Sequence, residues 1–254
     1  MLRVTALLLT LFAFTTANAA TVMITGASRG IGFEFAKRYA ERGWDVIATS
    51  RSPADDAEMQ ALAAEFENVS LETLDVTDLD QIDALAEKLR GTAIDVLINN
   101  AGISGGRNTQ DFGEIDYTVF DDVMSVNVLG PLKVTEAFLD HVAASDQKKI
   151  INISSGEGRL SNVRGARQVF YRASKSALNM VMRNVSLHPD VQAKGVIIGI
   201  LTPGFVDTDF TSGLPKQIMI DVETSVSRSM AMIDKYDLEM SGRYFANTGD
   251  EMTW

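Results

Sequence analysis

The chain contains no cysteine among its 254 residues. Disulfide bonds, thiol nucleophiles and zinc sites with cysteine ligands are therefore excluded. Histidine is almost as scarce, because His141 and His188 are the only two, so a metal site built mainly from imidazoles is also excluded. We predict no metal site. A chain without cysteine is compatible with either an oxidising or a reducing compartment.

Basic charge is also in short supply, with 23 Lys and Arg against 34 Asp and Glu and a net charge of −11. A chain this acidic is a poor ligand for a phosphate backbone, which argues against nucleic acid as the main partner. The charged fraction of 22% and the hydrophobic fraction of 46% are those of an ordinary globular protein. The length suits one large α/β domain.

Long hydrophobic runs are absent except near the start of the chain. Arg3 precedes an apolar run, Ala6 to Phe14, and small residues follow it up to Ala19. This three-part pattern predicts a signal peptide over residues 1–19, a periplasmic or secreted protein, and a domain over residues 20–254. A membrane span needs about 20 apolar residues, so we predict no stable span. An uncleaved tether and a wrongly assigned start codon before a cytoplasmic protein remain as alternatives.

Short apolar runs alternate with amphipathic stretches from Thr21 onward. Runs rich in Val and Ile suit strands buried on both faces, and their alternation with helices predicts a parallel, doubly wound α/β sheet in one domain. The predicted strands are Val22–Thr25, Asp45–Thr49, Ser70–Asp75, Ile94–Asn99, Lys149–Ile153, Val196–Leu201 and Arg243–Ala246. The predicted helices run from Ile31 to a C-cap at Gly43 and over Asp55–Phe66, Asp78–Leu89, Tyr117–Ala144 and Tyr171–Leu187.

Phe205–Ile220, rich in Thr, Gly and Pro, interrupts this alternation and is a candidate for a mobile loop or lid.

A glycine-rich loop follows the first predicted strand and leads into a helix. Its glycines are spaced G-x-x-x-G-x-G, which allows a tight turn and a close approach to a pyrophosphate at the helix N-terminus. The candidate cofactor-binding residues of this loop are Gly26, Ser28, Arg29, Gly30, Ile31 and Gly32. A tight strand-to-helix connection without a ligand is the alternative.

The end of the second predicted strand indicates which dinucleotide is bound. The segment Ala48-Thr49-Ser50-Arg51 has no acid to hold a ribose 2′-hydroxyl. Arg51, and Arg29 in the glycine loop, are instead suited to a 2′-phosphate. We therefore favour NADP(H) over NAD(H). The alternative is that both arginines are solvated surface charges.

Tyr171 and Lys175 are four residues apart, and on a helix they share one face. A nearby ammonium favours the phenolate and lowers the pKa of a tyrosine. A shift of about 3 units requires roughly 4 kcal/mol of differential interaction. Such a tyrosine can act as a general acid for carbonyl reduction. Among the five tyrosines only Tyr171 has this partner, although the pair by itself is equally compatible with an ordinary surface contact.

Five further motifs, in this order, complete a resemblance to the short-chain dehydrogenase/reductase family. They are Asn99-Asn100-Ala101-Gly102, Asn127-Val128-Leu129-Gly130, Asn152-Ile153-Ser154-Ser155, Tyr171-Arg172-Ala173-Ser174-Lys175 and Pro203-Gly204-Phe205-Val206-Asp207-Thr208. The amino-acid sequence over Tyr171–Asn179 and from Ser241 to Trp254 is most similar to that of the C-factor-like and sniffer-like carbonyl reductases.

The resemblance implies a Rossmann-type sheet of about seven strands with helices on both faces, and NADP(H)-dependent reduction of an aldehyde, ketone or quinone. It implies that Tyr171 donates the proton, that Lys175 tunes Tyr171 and holds the nicotinamide ribose, and that Ser155 orients the carbonyl. Asn127 would support a water relay from Lys175 to solvent. The assignment of Ser155 rather than the neighbouring Ser154 stays open at this point.

The resemblance also implies further cofactor contacts and an assembly. Asp75 and Val76 would contact adenine, although Asp75 has the alternative role of capping the helix that begins near Asp78. The remaining contacts would come from Asn99, Ala101, Gly102, Tyr171, Lys175, Pro203, Gly204, Val206 and Thr208. A homodimer or homotetramer is the family expectation.

Four arginines, Arg159, Arg164, Arg167 and Arg172, lie close to the predicted catalytic tyrosine. They either recognise an acidic substrate or phosphate, or form a solvated loop that pairs with acids elsewhere. The rival function is a dinucleotide-binding signalling or regulatory protein of C-factor type with little turnover. A nucleotide-sugar epimerase is disfavoured by the glycine spacing and by the lack of a large second domain.

Overall fold

The computed structural model describes residues 19–106, 109–213 and 215–254. The predicted signal peptide, residues 1–19, lies outside the described residues except for Ala19, and it stays a prediction. Within the described ranges, no helix is both long enough and apolar enough to cross a membrane.

Seven parallel strands form one sheet, as predicted. Their bounds are β1 Thr21–Ile24, β2 Asp45–Ser50, β3 Val69–Thr73, β4 Val96–Asn99, β5 Lys149–Ile153, β6 Ile197–Thr202 and β7 Tyr244–Ala246. The strand order is β3-β2-β1-β4-β5-β6-β7, and every named pair is parallel. The chain leaves β1 toward β2 on one side and returns to β4 on the other. This reversal creates a switch point between β1 and β4, where ligands bind in sheets of this kind.

Eight α-helices connect and cover the described strands. They are α1 Gly30–Glu41, α2 Ala57–Glu65, α3 Leu79–Lys88, α4 Phe120–Met124, α5 Gly130–Ala143, α6 Val169–Ser186, α7 Pro189–Lys194 and α8 Val222–Lys235. Helices α7 and α8 are not among the predicted helices, although both carry local signals. Pro189 begins α7 and Gly195 follows it with a left-handed backbone, while the Asp221 side chain caps α8 by accepting from the Thr224 N–H.

Both faces of the sheet are buried. In β1, Val22 and Ile24 join a core with residues of α1, α2 and α8, whereas Met23 joins a second core with residues of α3, α5 and α6. The alternation follows from the period-two geometry of a strand. The predicted single α/β domain with helices on both faces is therefore confirmed.

The predicted helix Tyr117–Ala144 is a succession of helical types. After α4 the turn Ser125–Leu129 widens to π-helical geometry, and α5 follows it directly. Pro131 explains the change of pitch, because proline lacks the N–H that would pair with the carbonyl of residue 127, four positions earlier. The widened turn carries Asn127.

A buried lysine stabilises the end of the domain where the strands begin, opposite the carboxyl ends of the strands. Lys149 begins β5, and its Nζ donates to the carbonyls of Ile233 at 2.9 Å and Asp234 at 3.1 Å, at the last turn of α8. A cation at a helix C-terminus satisfies carbonyls that have no intrahelical partner. Burial lowers the pKa of Lys149.

Candidate active site

The glycine loop lies at the switch point and is shaped by close backbone contacts. A Cβ on Gly32 would lie 2.2 Å from the Gly26 carbonyl oxygen, and a Cβ on Gly26 would lie 2.9 Å from the Ala101 Cα. Gly30, with a φ of +57°, faces Thr208, whose Cγ2 would be 3.6 Å from an added Cβ. The loop therefore meets the segment after β4 and the segment after β6, as a shared cofactor cleft requires.

The N-terminus of α1 has hydrogen-bond donors to offer. Arg29 occupies its N-cap in an extended conformation, its side chain makes no capping bond, and the first turn has no acid. By contrast, aspartate side chains cap α2, α3 and α8. Uncapped N–H groups and a positive helix dipole fit a pyrophosphate. Ser28 and Ile31, also predicted contacts, are half-buried at this end.

The segment after β4 holds the loop in place through a residue that the sequence analysis quoted without assigning a role. Asn100 donates from Nδ2 to the carbonyls of Thr25 and Gly26, both at 3.0 Å. The side chain of the predicted contact Asn99 turns into the protein, where Nδ2 donates to Asn152 Oδ1 at 2.9 Å. Any contact of Asn99 with a cofactor would therefore use its backbone. Gly102 lies next to the catalytic candidates described below.

The predicted adenine contacts follow β3. Asp75 Oδ1 accepts from the N–H and the hydroxyl of Thr77, at 2.9 and 2.7 Å. Asp78, and not Asp75, caps α3, so the capping alternative for Asp75 is wrong. Val76 is buried, and its carbonyl oxygen would lie 2.8 Å from a Cβ on Gly130.

Arg29 and Arg51 are both exposed. No hydrogen bond or ion pair joins either guanidinium to another residue in the described part of the chain. Both side chains are therefore available to a ligand, which is also what the surface-charge alternative predicts.

Tyr171 and Lys175 lie one turn apart on α6, and both are buried. The Lys175 Nζ donates to the Ile153 carbonyl at 3.0 Å, at the end of β5. Burial lowers the pKa of Lys175 to about 8. The backbone N–H of Tyr171 donates to Gln110 Oε1 at 2.9 Å, and its ring contacts that of Phe210 with centroids 5.5 Å apart.

Asn127 is fully buried beside the lysine. Its Oδ1 accepts from the Ile103 N–H at 2.9 Å, while its Nδ2 donates to the Ile103 carbonyl at 2.9 Å and to Ser174 Oγ at 3.0 Å. A Cβ on Gly102 would lie 3.3 Å from Asn127 Oδ1 and 3.5 Å from Lys175 Nζ. The widened turn, the segment after β4 and α6 thus converge on one point.

The two candidate serines occupy different environments. Ser154 is buried, and its hydroxyl donates to Asn179 Oδ1 at 2.5 Å. Ser155 is half-buried, and its Oγ accepts from the Glu157 N–H at 3.2 Å, which leaves its hydroxyl proton available. Ser155 is therefore the serine with a group to offer a substrate.

The segment after β6 carries the predicted nicotinamide contacts. Pro203 and Val206 are buried, whereas Gly204, with a φ of +89°, is exposed. The N–H of Thr208 donates to Thr211 Oγ1 at 3.0 Å. The base of the loop Phe205–Ile220 is closed by backbone bonds from residue 220 to residue 205 and from residue 207 to residue 220, and whether the loop moves as a lid stays a prediction.

Three residues that were not predicted as site residues also belong to this region: Phe210, Gln110 and Tyr244. Phe210 contacts Tyr171 from the loop after β6, and Gln110 receives the Tyr171 N–H. Tyr244, in β7, donates from its hydroxyl to the Ser155 carbonyl at 2.7 Å. Two of them lie in segments that the sequence indicates: Tyr244 in the Ser241–Trp254 segment that carries part of the resemblance, and Phe210 in the candidate lid Phe205–Ile220.

Three of the four neighbouring arginines are engaged within the protein. Arg172 is buried and pairs with Glu157 at 2.5 Å. Arg159 and Arg164 donate to backbone carbonyls, while Arg167 is exposed. These contacts favour the alternative of a solvated loop with partners inside the protein, rather than recognition of an acidic substrate or phosphate. The partners are Glu157 and backbone carbonyls, and not acids elsewhere as that alternative expected.

Similarity to known proteins agrees with this geometry. The family whose sequence model matches residues 20–218 is described as short chain dehydrogenase. The chain is 30% identical over 237 residues to 1-hydroxy-2-glutathionyl-2-methyl-3-butene dehydrogenase of Rhodococcus sp. (strain AD45), covering 92% of this chain and 99% of that protein. It is 35% identical over 161 residues to C-signal of Myxococcus xanthus, covering 63% of this chain and 93% of that protein.

A solved structure has the same architecture. The NADPH-bound carbonyl reductase from chicken fatty liver is 30% identical and superimposes with a TM-score of 0.85, covering 94% of this chain and all of that one (100%). The family match, the parallel sheet and the convergence of the predicted motifs at one edge lead to the same conclusion. The chain belongs to the short-chain dehydrogenase family, and the predicted oxidoreductase class is thereby confirmed.

Proposed function

We propose that the protein reduces a carbonyl compound (an aldehyde, ketone or quinone) to an alcohol with NADPH. The observation that carries the proposal is the convergence of Lys175, Asn127 and Gly102 beside Tyr171, at the edge of the sheet where the uncapped α1 also begins. The likeness to a carbonyl reductase solved with NADPH supports the same cofactor for this chain.

The cofactor cleft would be formed by backbone and by two arginines. The glycine loop and the free N–H groups of α1 would bind the pyrophosphate, and exposed Arg29 and Arg51 would bind a 2′-phosphate. Val206 and Thr208, the latter 3.6 Å from a Cβ on Gly30, would lie along the nicotinamide end. When bound, NADPH supplies the hydride that reduces the carbonyl carbon.

Tyr171 would supply the proton. Its hydroxyl donates to the carbonyl oxygen as negative charge develops there, and the phenolate that results is stabilised by the ammonium of Lys175 on the same helical face. Within the described structure Lys175 has one hydrogen-bond acceptor, the Ile153 carbonyl, so its other N–H donors are available to a ribose or a water. Asn127 holds the 102–103 backbone beside that ammonium.

Ser155 and Phe210 would place the substrate. The Ser155 hydroxyl donates to the substrate carbonyl and aligns it for attack. Phe210, 38% exposed, presents an aromatic edge or face next to Tyr171. An apolar group beside the carbonyl would pack on this ring.

The decisive experiment is an NADPH-oxidation assay over a panel of aldehydes, ketones and quinones with the purified domain. We expect at least one apolar carbonyl compound to be reduced, with the alcohol identified by mass spectrometry. NADPH that binds without being consumed by any member of the panel would contradict the proposal.

A second candidate function has one observation in its favour, the 35% identity to C-signal. A dinucleotide-binding signalling or regulatory protein would need the cleft and little turnover. Tyr171→Phe separates the two functions, because a reductase loses activity while it still binds NADPH, whereas a binding protein keeps its biological effect.

Location and assembly are further proposals. We infer export to the periplasm or the medium from the signal-like pattern of residues 1–19, and a homodimer or homotetramer from the family resemblance. Fractionation with mass measurement of the mature N-terminus tests the first. A full-length protein confined to the cytoplasm would contradict export, and a monomer in light scattering would contradict assembly.

A further inference from the structure

The carbonyl of Ser155 is held by two donors. The Gly158 N–H donates to it at 2.9 Å and closes a tight turn, and the Tyr244 hydroxyl donates to it at 2.7 Å from β7. The Tyr244 hydroxyl also contacts the side chains of Ser154 and Thr202. Burial raises the pKa of Tyr244, so the phenol keeps its proton over the working pH range and continues to donate.

Residues 251–254 form a strap that runs back along β7 and supports this tyrosine. Glu251 forms an antiparallel bridge with Phe245, and the Met252 N–H donates to the Tyr244 carbonyl at 2.7 Å. The Trp254 ring then stacks on the Tyr244 ring with centroids 5.8 Å apart and an angle of 26° between the planes. The strap therefore limits the rotation of the phenol that holds Ser155.

The strap also binds the segment that follows the turn. Arg159 donates to the Thr253 carbonyl at 3.1 Å and to its hydroxyl at 2.8 Å. The Ser161 N–H donates to the Trp254 carbonyl at 3.3 Å. Side chain and backbone of the strap thus both engage residues 159–161.

On its other side the same segment is fastened to α6. Ser176 Oγ donates to the Gly158 carbonyl at 2.7 Å, and a Cβ on Gly158 would lie 2.9 Å from the Lys175 Cβ. The ion pair of Arg172 with Glu157 adds a third contact. The backbone from Ser155 to Ser161 is therefore fixed between the helix of the catalytic pair and the strap.

We propose that Tyr244, backed by the strap, is a positioning residue that holds Ser155 in the orientation needed to align a substrate carbonyl. This inference rests on the proposed reductase function. The Ser155 side chain extends from a backbone whose carbonyl is held by the Tyr244 hydroxyl. Loss of that hydrogen bond would let the turn rotate and would move the Ser155 hydroxyl with it. A displacement of about 1 Å at a reacting centre costs up to about 100-fold in rate.

The test uses Tyr244→Phe, which removes one oxygen and keeps the ring that Trp254 stacks on. Its matched control is Tyr236→Phe, because the Tyr236 hydroxyl is also buried and donates to a backbone carbonyl, that of Ile200, at 2.8 Å. We expect Tyr244→Phe to lower kcat about ten-fold, which is a tenth of the roughly 100-fold upper limit for a misplaced group. The Kd for NADPH should be unchanged. Tyr236→Phe should leave kcat within about two-fold of the wild-type value, because within the described residues Tyr236 shares no hydrogen-bond partner with Ser155.

A double-mutant cycle shows whether Tyr244 acts through Ser155. In a Ser155→Ala background, Tyr244→Phe should have almost no further effect on kcat, because the group that it positions is gone. Another ten-fold loss in that background, or equal losses in Tyr244→Phe and Tyr236→Phe, would overturn the inference. An unchanged kcat in Tyr244→Phe would overturn it as well.

Hydrogen exchange separates this inference from the reductase proposal. Peptides covering residues 156–162 should exchange faster in Tyr244→Phe and in Arg159→Ala, but not in Tyr236→Phe or in Arg167→Ala, whose guanidinium is exposed. If no carbonyl compound is reduced while exchange follows this pattern, the reductase proposal fails and the structural anchor stands without a catalytic role, which overturns the positioning claim. Unchanged exchange would remove the anchor itself.

Discussion

The two sides of the site are held together in different ways. On the side of β1 and β4, residues 25–32 and 99–102 meet mainly through tight contacts at glycines, such as Gly26 against the Ala101 Cα, and the Asn100 side chain donates to the Gly26 carbonyl. On the side of β5 and β6, the parts meet through individual side chains, such as Tyr244 on Ser155 and Phe210 on Tyr171. The first side should therefore respond to added volume, and the second to the loss of single functional groups.

The largest effect is expected on the second side, from Tyr171→Phe. Loss of the proton donor should lower kcat by about 10²–10⁴-fold, the usual contribution of general acid catalysis. The Kd for NADPH should change little because the ring remains, and fluorescence titration measures it. Tyr117→Phe is the control, since the Tyr117 side chain is 73% exposed on a short helical turn before α4. Activity close to the wild type in Tyr171→Phe would exclude Tyr171 as the donor.

A glycine substitution should break the first side. In Gly32→Ala the new Cβ would lie 2.2 Å from the Gly26 carbonyl oxygen, so the loop has to move. Overpacking costs about 1–3 kcal/mol, which would weaken NADPH binding by about 5- to 150-fold if all of it falls on the cofactor-bound loop. Gly165→Ala is the control, because no atom lies within 4 Å of an added Cβ there. Equal NADPH affinity in both variants would show that the loop does not shape the cofactor cleft.

The pH dependence of the reaction should report the burial of Lys175. Its pKa of about 8 means that the ammonium predominates below that pH, so kcat/KM should fall by up to about ten-fold per unit above pH 8. Lys175→Met should remove this limb. Lys149→Met should keep it, because Lys149 is a buried lysine at the start of β5, whereas the site lies beyond the end of that strand. Lys149 holds the end of α8 instead. A limb that persists in Lys175→Met would assign it to another group.

The same burial has a consequence for stability. The pKa of Lys175 in the folded protein, about 8, is below its ordinary value of 10.5, so the folded state binds fewer protons than the unfolded state between these values. The free energy of unfolding contributed by this group therefore increases as pH rises from about 8 to about 10.5. Urea denaturation of the cofactor-free protein at several pH values measures the slope, and Lys175→Met should reduce it.

The smallest effect is expected at the outer edge of the cofactor side. Arg51→Ala removes one exposed guanidinium, and the preference for NADPH over NADH should fall about ten-fold, the value of a single charge-assisted contact. Arg90→Ala is the control, because Arg90 lies just beyond the end of α3, is exposed, and pairs with Glu87 of that helix. An unchanged cofactor preference would favour the surface-charge interpretation of Arg51.

Local patterns were predictable where function depends on neighbours in the chain. The glycine loop and the pair Tyr171 and Lys175 follow from spacing alone, since a turn and a helical face each involve a few consecutive residues. The inward turn of the Asn99 side chain was not predictable, because it depends on the pairing of Asn99 with Asn152 between β4 and β5. The helix α8 was missed although its cap, Asp221, was readable.

Long-range contacts explain most of what sequence reasoning could not reach. Tyr244 and Ser155 are 89 residues apart, and no local pattern relates a hydroxyl in one strand to a carbonyl after another. The same holds for Arg159 and Thr253, 94 residues apart, which gave one of the four arginines a partner within the protein.

The sequence by itself determined the alternation of strands and helices, the glycine-rich turn between β1 and α1, and the helical face shared by Tyr171 and Lys175, because these depend on backbone sterics and short-range periodicity. Tertiary structure decided which of the adjacent serines is available, how far the pKa of Lys175 falls and which arginines remain exposed. Each of these properties depends on burial and on partners brought from distant segments, and both exist only once the sheet and its helices have packed.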